Sequence, residues 1–200
     1  MRVRCHGLEH LPGAGGVLLA VSHVSHLDPV VVSEQVGRRI GWMSRGEFFR
    51  HGLMRPVLRW LGAFPVLRGA YARPTLRESL RRLNDGEIVG IFPEGEIMQG
   101  AESVMRGGRI RQGVCWLALR AGCPIIPIVV LGTERLNQVK VWLPLKQGRL
   151  YMMVGAAISA GSASSGRKER KALAAQLEAA FRQIYAELRT VESLPESILP

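Results

Sequence analysis

Apolar and polar positions fall in blocks along the chain. Short aliphatic or β-branched runs alternate with segments in which apolar residues recur every three or four positions. The runs predict strands over Val17–Val21, Ile40–Met43, Ala63–Leu67, Ile88–Phe92, Ile125–Leu131, Val139–Leu143 and Leu150–Val154. The periodic segments predict helices over Val30–Val36, Glu47–Leu61, Arg73–Leu83 and Gly113–Arg120. Gly86, Gly122 with Pro124, and Gly148 mark the boundaries. Strands that alternate with helices describe an α/β domain rather than a sandwich or a bundle. The expected fold is one domain with a mixed, mostly parallel sheet flanked by helices.

Three stretches organise the chain: a domain over residues 1–158, a connector over 159–166 and a helix over 167–189. The connector, Ser159 to Gly166, is the only low-complexity segment and reads as flexible. Beyond it Leu173, Leu177, Phe181, Ile184 and Leu188 form one apolar stripe, so this helix should dock on the sheet. The tail after it should fray.

The chain has 200 residues and is 47% hydrophobic, enough for a real core and too apolar for a disordered basic tail. Its 27 Lys+Arg against 16 Asp+Glu give a net charge of +11, and 23 of the 27 are arginine. Guanidinium forks suit carboxylates, phosphates and phospholipid head groups. The arginines are dispersed and no nucleic-acid motif is present, so a nucleic-acid partner is not expected. Three cysteines without C-x-x-C spacing support neither a disulfide framework nor a zinc site, which points to an intracellular protein. No apolar run reaches the roughly 18 residues of a membrane span, and Met1-Arg-Val-Arg-Cys-His lacks the apolar stretch of a signal peptide, so any membrane contact is expected to be peripheral. A mean hydropathy of +0.10 nonetheless leaves room for an apolar surface against lipid.

The candidate chemistry lies where strands end. In His23-Val-Ser-His-Leu-Asp28-Pro29 an apolar strand runs into a polar turn, and Asp28 before Pro29 reads as a helix N-cap. On one helix, side chains five residues apart diverge by about 140°. Across a strand-to-helix turn they can meet, and a carboxylate holding one imidazole nitrogen makes the other a useful base. His26 is a rival base, and a plain cap beside a solvated histidine is the bland alternative. A second strand ends in Phe92-Pro93-Glu94-Gly95, where Gly95 permits close backbone approach. A third, Gly62 to Gly69, delivers Arg68 at its end, either for a phosphate or for a surface ion pair.

Taken in order, these segments resemble the glycerolipid acyltransferase family. Its blocks are matched by His23 to Pro29, by Gly62 to Arg68, by Phe92 to Gly95 and by Pro124-Ile-Ile-Pro127. The resemblance implies a glycerol-phosphate acyltransferase-like fold and an O-acyltransferase of phospholipid biosynthesis. His23 would be general base on a lysophospholipid hydroxyl, most simply that of 1-acylglycerol 3-phosphate, and Asp28 would orient it. The donor would be acyl-CoA or acyl carrier protein, with no metal and no bound cofactor. Arg68 would hold the acceptor's phosphate, and Glu94 with Gly95 would shape its site.

The chain departs from the family pattern after Phe-Pro-Glu-Gly. Glu96-Ile97-Met98 replaces a small residue followed by an arginine and a serine. A carboxylate there would repel a dianionic phosphate, which opens the alternative of another lysolipid or hydroxylated lipid. Arg106, Arg109 or Arg111 could restore the charge. Arg111-Gln112-Gly113 stands where the family often has a lysine two residues before glycine, and Ser22 stands where it often has asparagine. Between the first two blocks, Arg45 to Leu61 interleaves arginines with large apolar residues at helical spacing. Such a helix can rest in a lipid interface, its Pro56 kinking it or beginning a second helix. The expected location is cytoplasmic, on an anionic membrane surface at the inner face.

Overall fold

The computed structural model describes residues 2–50, 54–66, 72–134, 149–161 and 166–194. Its seven strands are β1 (Arg2–His6), β2 (Val17–Val21), β3 (Ile40–Arg45), β4 (Phe64–Val66), β5 (Ile88–Ile91), β6 (Ile125–Leu131) and β7 (Arg149–Val154). Its helices are α1 (Asp28–Val36), α2 (Met54–Trp60), α3 (Ala72–Asn84), α4 (Gly113–Ala121) and α5 (Arg167–Val191). The strands form one sheet in the order β1-β7-β6-β2-β5-β3-β4. Every neighbouring pair is parallel except β6 with β7.

The continuous apolar runs become the middle of the sheet because both their faces are covered. Every residue of β2 and of β6 is buried. Along β2, Leu18 and Ala20 join the core under α4 and α5, while Val17, Leu19 and Val21 join the one under α1. Along β6 the same alternation sends Ile125, Val129 and Leu131 one way and Ile126, Ile128 and Val130 the other.

Pro127 sits inside β6, where a proline ordinarily argues against a central strand. The β6–β7 ladder begins only at Ile128 opposite Val154, and Gly155 N–H donates to Pro127 O at 2.8 Å. The missing N–H of Pro127 therefore falls just past the end of that ladder.

Two expectations change. Arg2–His6 is a strand that the apolar pattern does not announce, because only Val3 and Cys5 pack against the core. The helix expected over Glu47–Leu61 is a 3-10 turn over Gly46–Arg50 followed by α2. Proline is tolerated in the first turn of a helix and breaks its interior, and a helix starting at Met54 places Pro56 in that turn. The strand expected over Val139–Leu143, Arg68, residues 162–165 of the connector and residues 195–200 of the tail lie outside the described residues.

The topology fixes where a ligand can sit. From β2 the chain runs outward to β3 and β4, returns to β5 on one flank of β2, then crosses to β6 on the other. The crevice at the carboxyl ends of β5, β2 and β6 is such a switch point, the usual ligand position in an open α/β sheet.

Candidate active site

Three turns converge at that crevice. At the end of β2, Ser22 N–H donates to Ile128 O at 2.9 Å, and Ser22 Oγ accepts Val130 N–H at 3.2 Å. These bonds tie the strand end to β6. The chain then bends through residues 23–27 into α1, and His23 Nδ1 lies 3.0 Å from Asp28 Oδ2. Asp28 is wholly buried, and 14% of the His23 side chain is exposed.

Asp28 does not cap α1. The helix begins at Asp28 itself, Leu27 holds the N-cap position, and no side chain caps it. The carboxylate turns back instead. Oδ2 accepts the N–H groups of Val24 at 2.9 Å and Ser25 at 2.8 Å, and Oδ1 accepts the Thr133 hydroxyl at 2.6 Å. With the imidazole these make four partners for one buried acceptor, which is how a charge out of water is held. An ionised carboxylate can only accept, so Nδ1 carries the proton of the neutral ring and Nε2 carries the lone pair.

Glu94, at the end of β5, is also buried, 3% exposed. Oε2 accepts His23 N–H at 2.9 Å and Oε1 accepts Val104 N–H at 2.8 Å, and the Ser103 hydroxyl also bonds to it. Burial pushes its carboxyl above the ordinary range, opposed by these donors. Met98 N–H donates to His23 O at 3.0 Å. The turn after β5 thus grips the main chain of His23 on both sides.

Aromatic stacking fixes the plane of the ring. His23 lies on Phe92 with ring centroids 3.9 Å apart, and Phe92 lies on Trp42 at 5.2 Å. Trp42 Nε1–H donates to Ser33 Oγ at 2.8 Å. The indole fits because Gly90 is its cross-strand neighbour on β5, where an added Cβ would lie 2.6 Å from the ring.

The other sequence candidates are placed as follows. His26 is exposed, its ring 6.4 Å from that of His23 and edge-on to it, and it is His23 that reaches Asp28. Gly95 has φ +82°, and an added Cβ there would collide with the Arg111 side chain. Arg111 N–H donates to Pro93 O at 2.8 Å, its Nε donates to Glu94 O at 3.1 Å, and its guanidinium is 3.4 Å from Glu96. Arg106 and Arg109 are exposed nearby in the chain. Thr133 was not expected. Its one sequence signal is its position, a small polar residue just past an all-apolar strand, as His23 and Glu94 also are. Among the described residues no cluster of His, Cys, Asp and Glu could hold a metal ion, and no helix is long and apolar enough to cross a membrane.

A part-exposed histidine held by a buried aspartate in a strand-end crevice of a mostly parallel sheet defines an α/β protein equipped for general-base chemistry. The family model described as Acyltransferase matches residues 2–131, and the chain belongs to that family of enzymes. It is 27% identical over 184 residues to the 1-acyl-sn-glycerol-3-phosphate acyltransferase of Bacillus subtilis, covering 91% of this chain and 86% of that protein. A protein of the same name from Borreliella burgdorferi is 24% identical over 131 residues, which span 64% of this chain and half of that one. The fold is that of the crystal structure of the 1-acyl-sn-glycerophosphate (LPA) acyltransferase, PlsC, from Thermotoga maritima. That match has a TM-score of 0.66 at 17% identity and covers 92% of this chain and 72% of that one.

Proposed function

We propose that the protein moves a fatty acyl chain from the thioester of acyl-CoA or acyl carrier protein to the free hydroxyl of a lysophospholipid. The acceptor is 1-acylglycerol 3-phosphate and the product phosphatidic acid, in line with the names of the relatives. The observation that carries this reading is the His23 Nδ1 to Asp28 Oδ2 contact of 3.0 Å, made to a carboxylate saturated with donors.

The steps follow from the ring's tautomer. His23 Nε2 takes the acceptor's proton as the hydroxyl oxygen attacks the thioester carbonyl. Asp28 stabilises the imidazolium through Nδ1–H. The tetrahedral intermediate then expels the thiolate, which takes the proton back from Nε2. The balance closes on ester and thiol without an acyl-enzyme, and this reading requires no bound cofactor. Glu94 acts through the His23 main chain as a positioning residue, and Thr133 acts through Asp28. Gly95 lets Arg111 lie over the turn after β5, where its half-exposed guanidinium can meet the acceptor's phosphate. Arg68 is assigned to that phosphate on the family pattern alone. The enzyme works on the cytoplasmic face of the membrane, without spanning it.

One observation favours a second acceptor. The Glu96 carboxylate beside Arg111 opposes a phosphate dianion, which suits a lysolipid with a less charged head group. An acceptor screen with purified protein, labelled acyl thioester and a lysolipid panel decides between them. In the same assay His23→Ala should lower kcat/KM by about 10³-fold, on the scale of a lost general base. His26→Ala should stay within a few-fold of the parent, and the reverse pattern would move the base to His26.

A further inference from the structure

The function just proposed leaves α2 unused, and α2 carries the largest apolar exposure among the described residues. Trp60 is 77% exposed and Val57 45%, whereas Leu8, Leu27 and Val191 stand singly on other elements. The helix is seated by the buried Leu58. Trp60 projects about 200° around the axis from Leu58, directly away from the protein. Arg55 and Arg59 are both exposed, share a flank about 40° apart, and enter no ion pair among the described residues. An indole and a valine beside a flank of two unpaired arginines, on a chain of net charge +11, match the chemistry of an anionic lipid interface. The chain leaves β3 at the sheet end that carries His23, two strands from β2, and α2 is the return segment. Gly62, two residues past Trp60, meets Ile40 at the start of β3, so the exposed face runs along the flank of the sheet from the crevice end back toward the amino ends of the strands.

We infer that α2 is the membrane-docking face of this protein, with Trp60 and Val57 entering the head-group zone of an anionic bilayer and Arg55 and Arg59 on lipid phosphates. This rests on the reading that the acceptor is a membrane lipid. It identifies the surface that brings the enzyme to that lipid.

The test uses the full chain with vesicles of phosphatidylcholine alone or mixed with phosphatidylglycerol. Cosedimentation should require phosphatidylglycerol and weaken steeply with added salt. Arg55→Glu combined with Arg59→Glu should weaken binding at least tenfold, on the scale of two interfacial arginines. Brominated acyl chains should quench tryptophan emission in the parent and not in Trp60→Phe, although Trp42, Trp116 and Trp142 remain. Transfer to a short-chain acceptor kept below its micelle concentration should be the same in the double variant as in the parent. Equal binding to phosphatidylcholine alone, parent-like binding by the double variant, or quenching that survives Trp60→Phe overturns the inference. Vesicle binding that behaves as stated in a protein that transfers no acyl group would support the surface and sink the reading of the active site.

Discussion

Asp28 and Glu94 are both buried carboxylates, one at the start of α1 after β2 and the other in the turn after the neighbouring β5, and they hold the same residue by different handles. Asp28 takes the imidazole of His23 along with two main-chain N–H groups and a hydroxyl. Glu94 takes only the main-chain N–H of His23 and that of Val104, with the Ser103 hydroxyl. One carboxylate sets which nitrogen of the ring carries the proton, and the other sets where the ring stands. Chemistry and placement are thus divided between two groups that look alike in the sequence.

The sharpest way to break this division is Asp28→Asn. A carboxamide turns one acceptor into a donor against N–H groups and removes the charge that stabilises the imidazolium. The expected loss in kcat is about 10²- to 10⁴-fold in a protein that still melts cooperatively. A loss of less than tenfold would erase the difference between the two carboxylates.

Glu94→Gln should cost stability more than chemistry. It leaves a buried N–H without an acceptor, worth about 1–3 kcal/mol in denaturant melts, with a loss in kcat of about tenfold. The same substitution tests a pH effect. Because burial raises the carboxyl of Glu94, the native state keeps that proton to higher pH than the unfolded chain does. Its contribution to stability is then complete below the ordinary carboxylate range and is lost as pH rises through the raised value. The stability advantage of the parent over Glu94→Gln should shrink as pH rises across that window, and an advantage that grows would contradict the direction.

The smallest effect sharpens the comparison from the side of Asp28. Thr133→Val removes the hydroxyl on Oδ1, leaving more of the carboxylate's charge to the imidazolium. The acid limb of the kcat/KM profile should move to higher pH while kcat falls a few-fold, and Thr133→Ser should restore both. A variant that only melts earlier, with an unmoved profile, would reduce Thr133 to a packing role.

The sequence pattern reaches the centre of this molecule better than its margins. Long apolar runs such as Val17–Val21 and Ile125–Leu131 are strands because both sides of the sheet are covered, so composition alone marks them. Arg2–His6 escapes because an edge strand with one apolar face offers too few apolar residues, and α2 because Pro56 allows a helix to start but not to continue through it. At the site, His23 and Asp28 are legible as a spacing. The reversal of Asp28 away from α1 is not, since it depends on Thr133 and on donors that only the folded turn presents. The role of Glu94 is hidden for the same reason, because the group it binds is main chain. The column of Trp42, Phe92 and His23 depends on a cross-strand register that sets Gly90 beside the indole, which no local pattern encodes.

The hydroxyl on Thr133 lies 105 positions beyond the carboxylate it serves, and Glu94 lies 71 beyond the amide it anchors. During synthesis the histidine and its aspartate therefore leave the ribosome long before either support exists. A chain halted ahead of β6 would contain both partners of the pair and still lack the brace on Oδ1, so the carboxylate gains its full set of partners only with the last central strand.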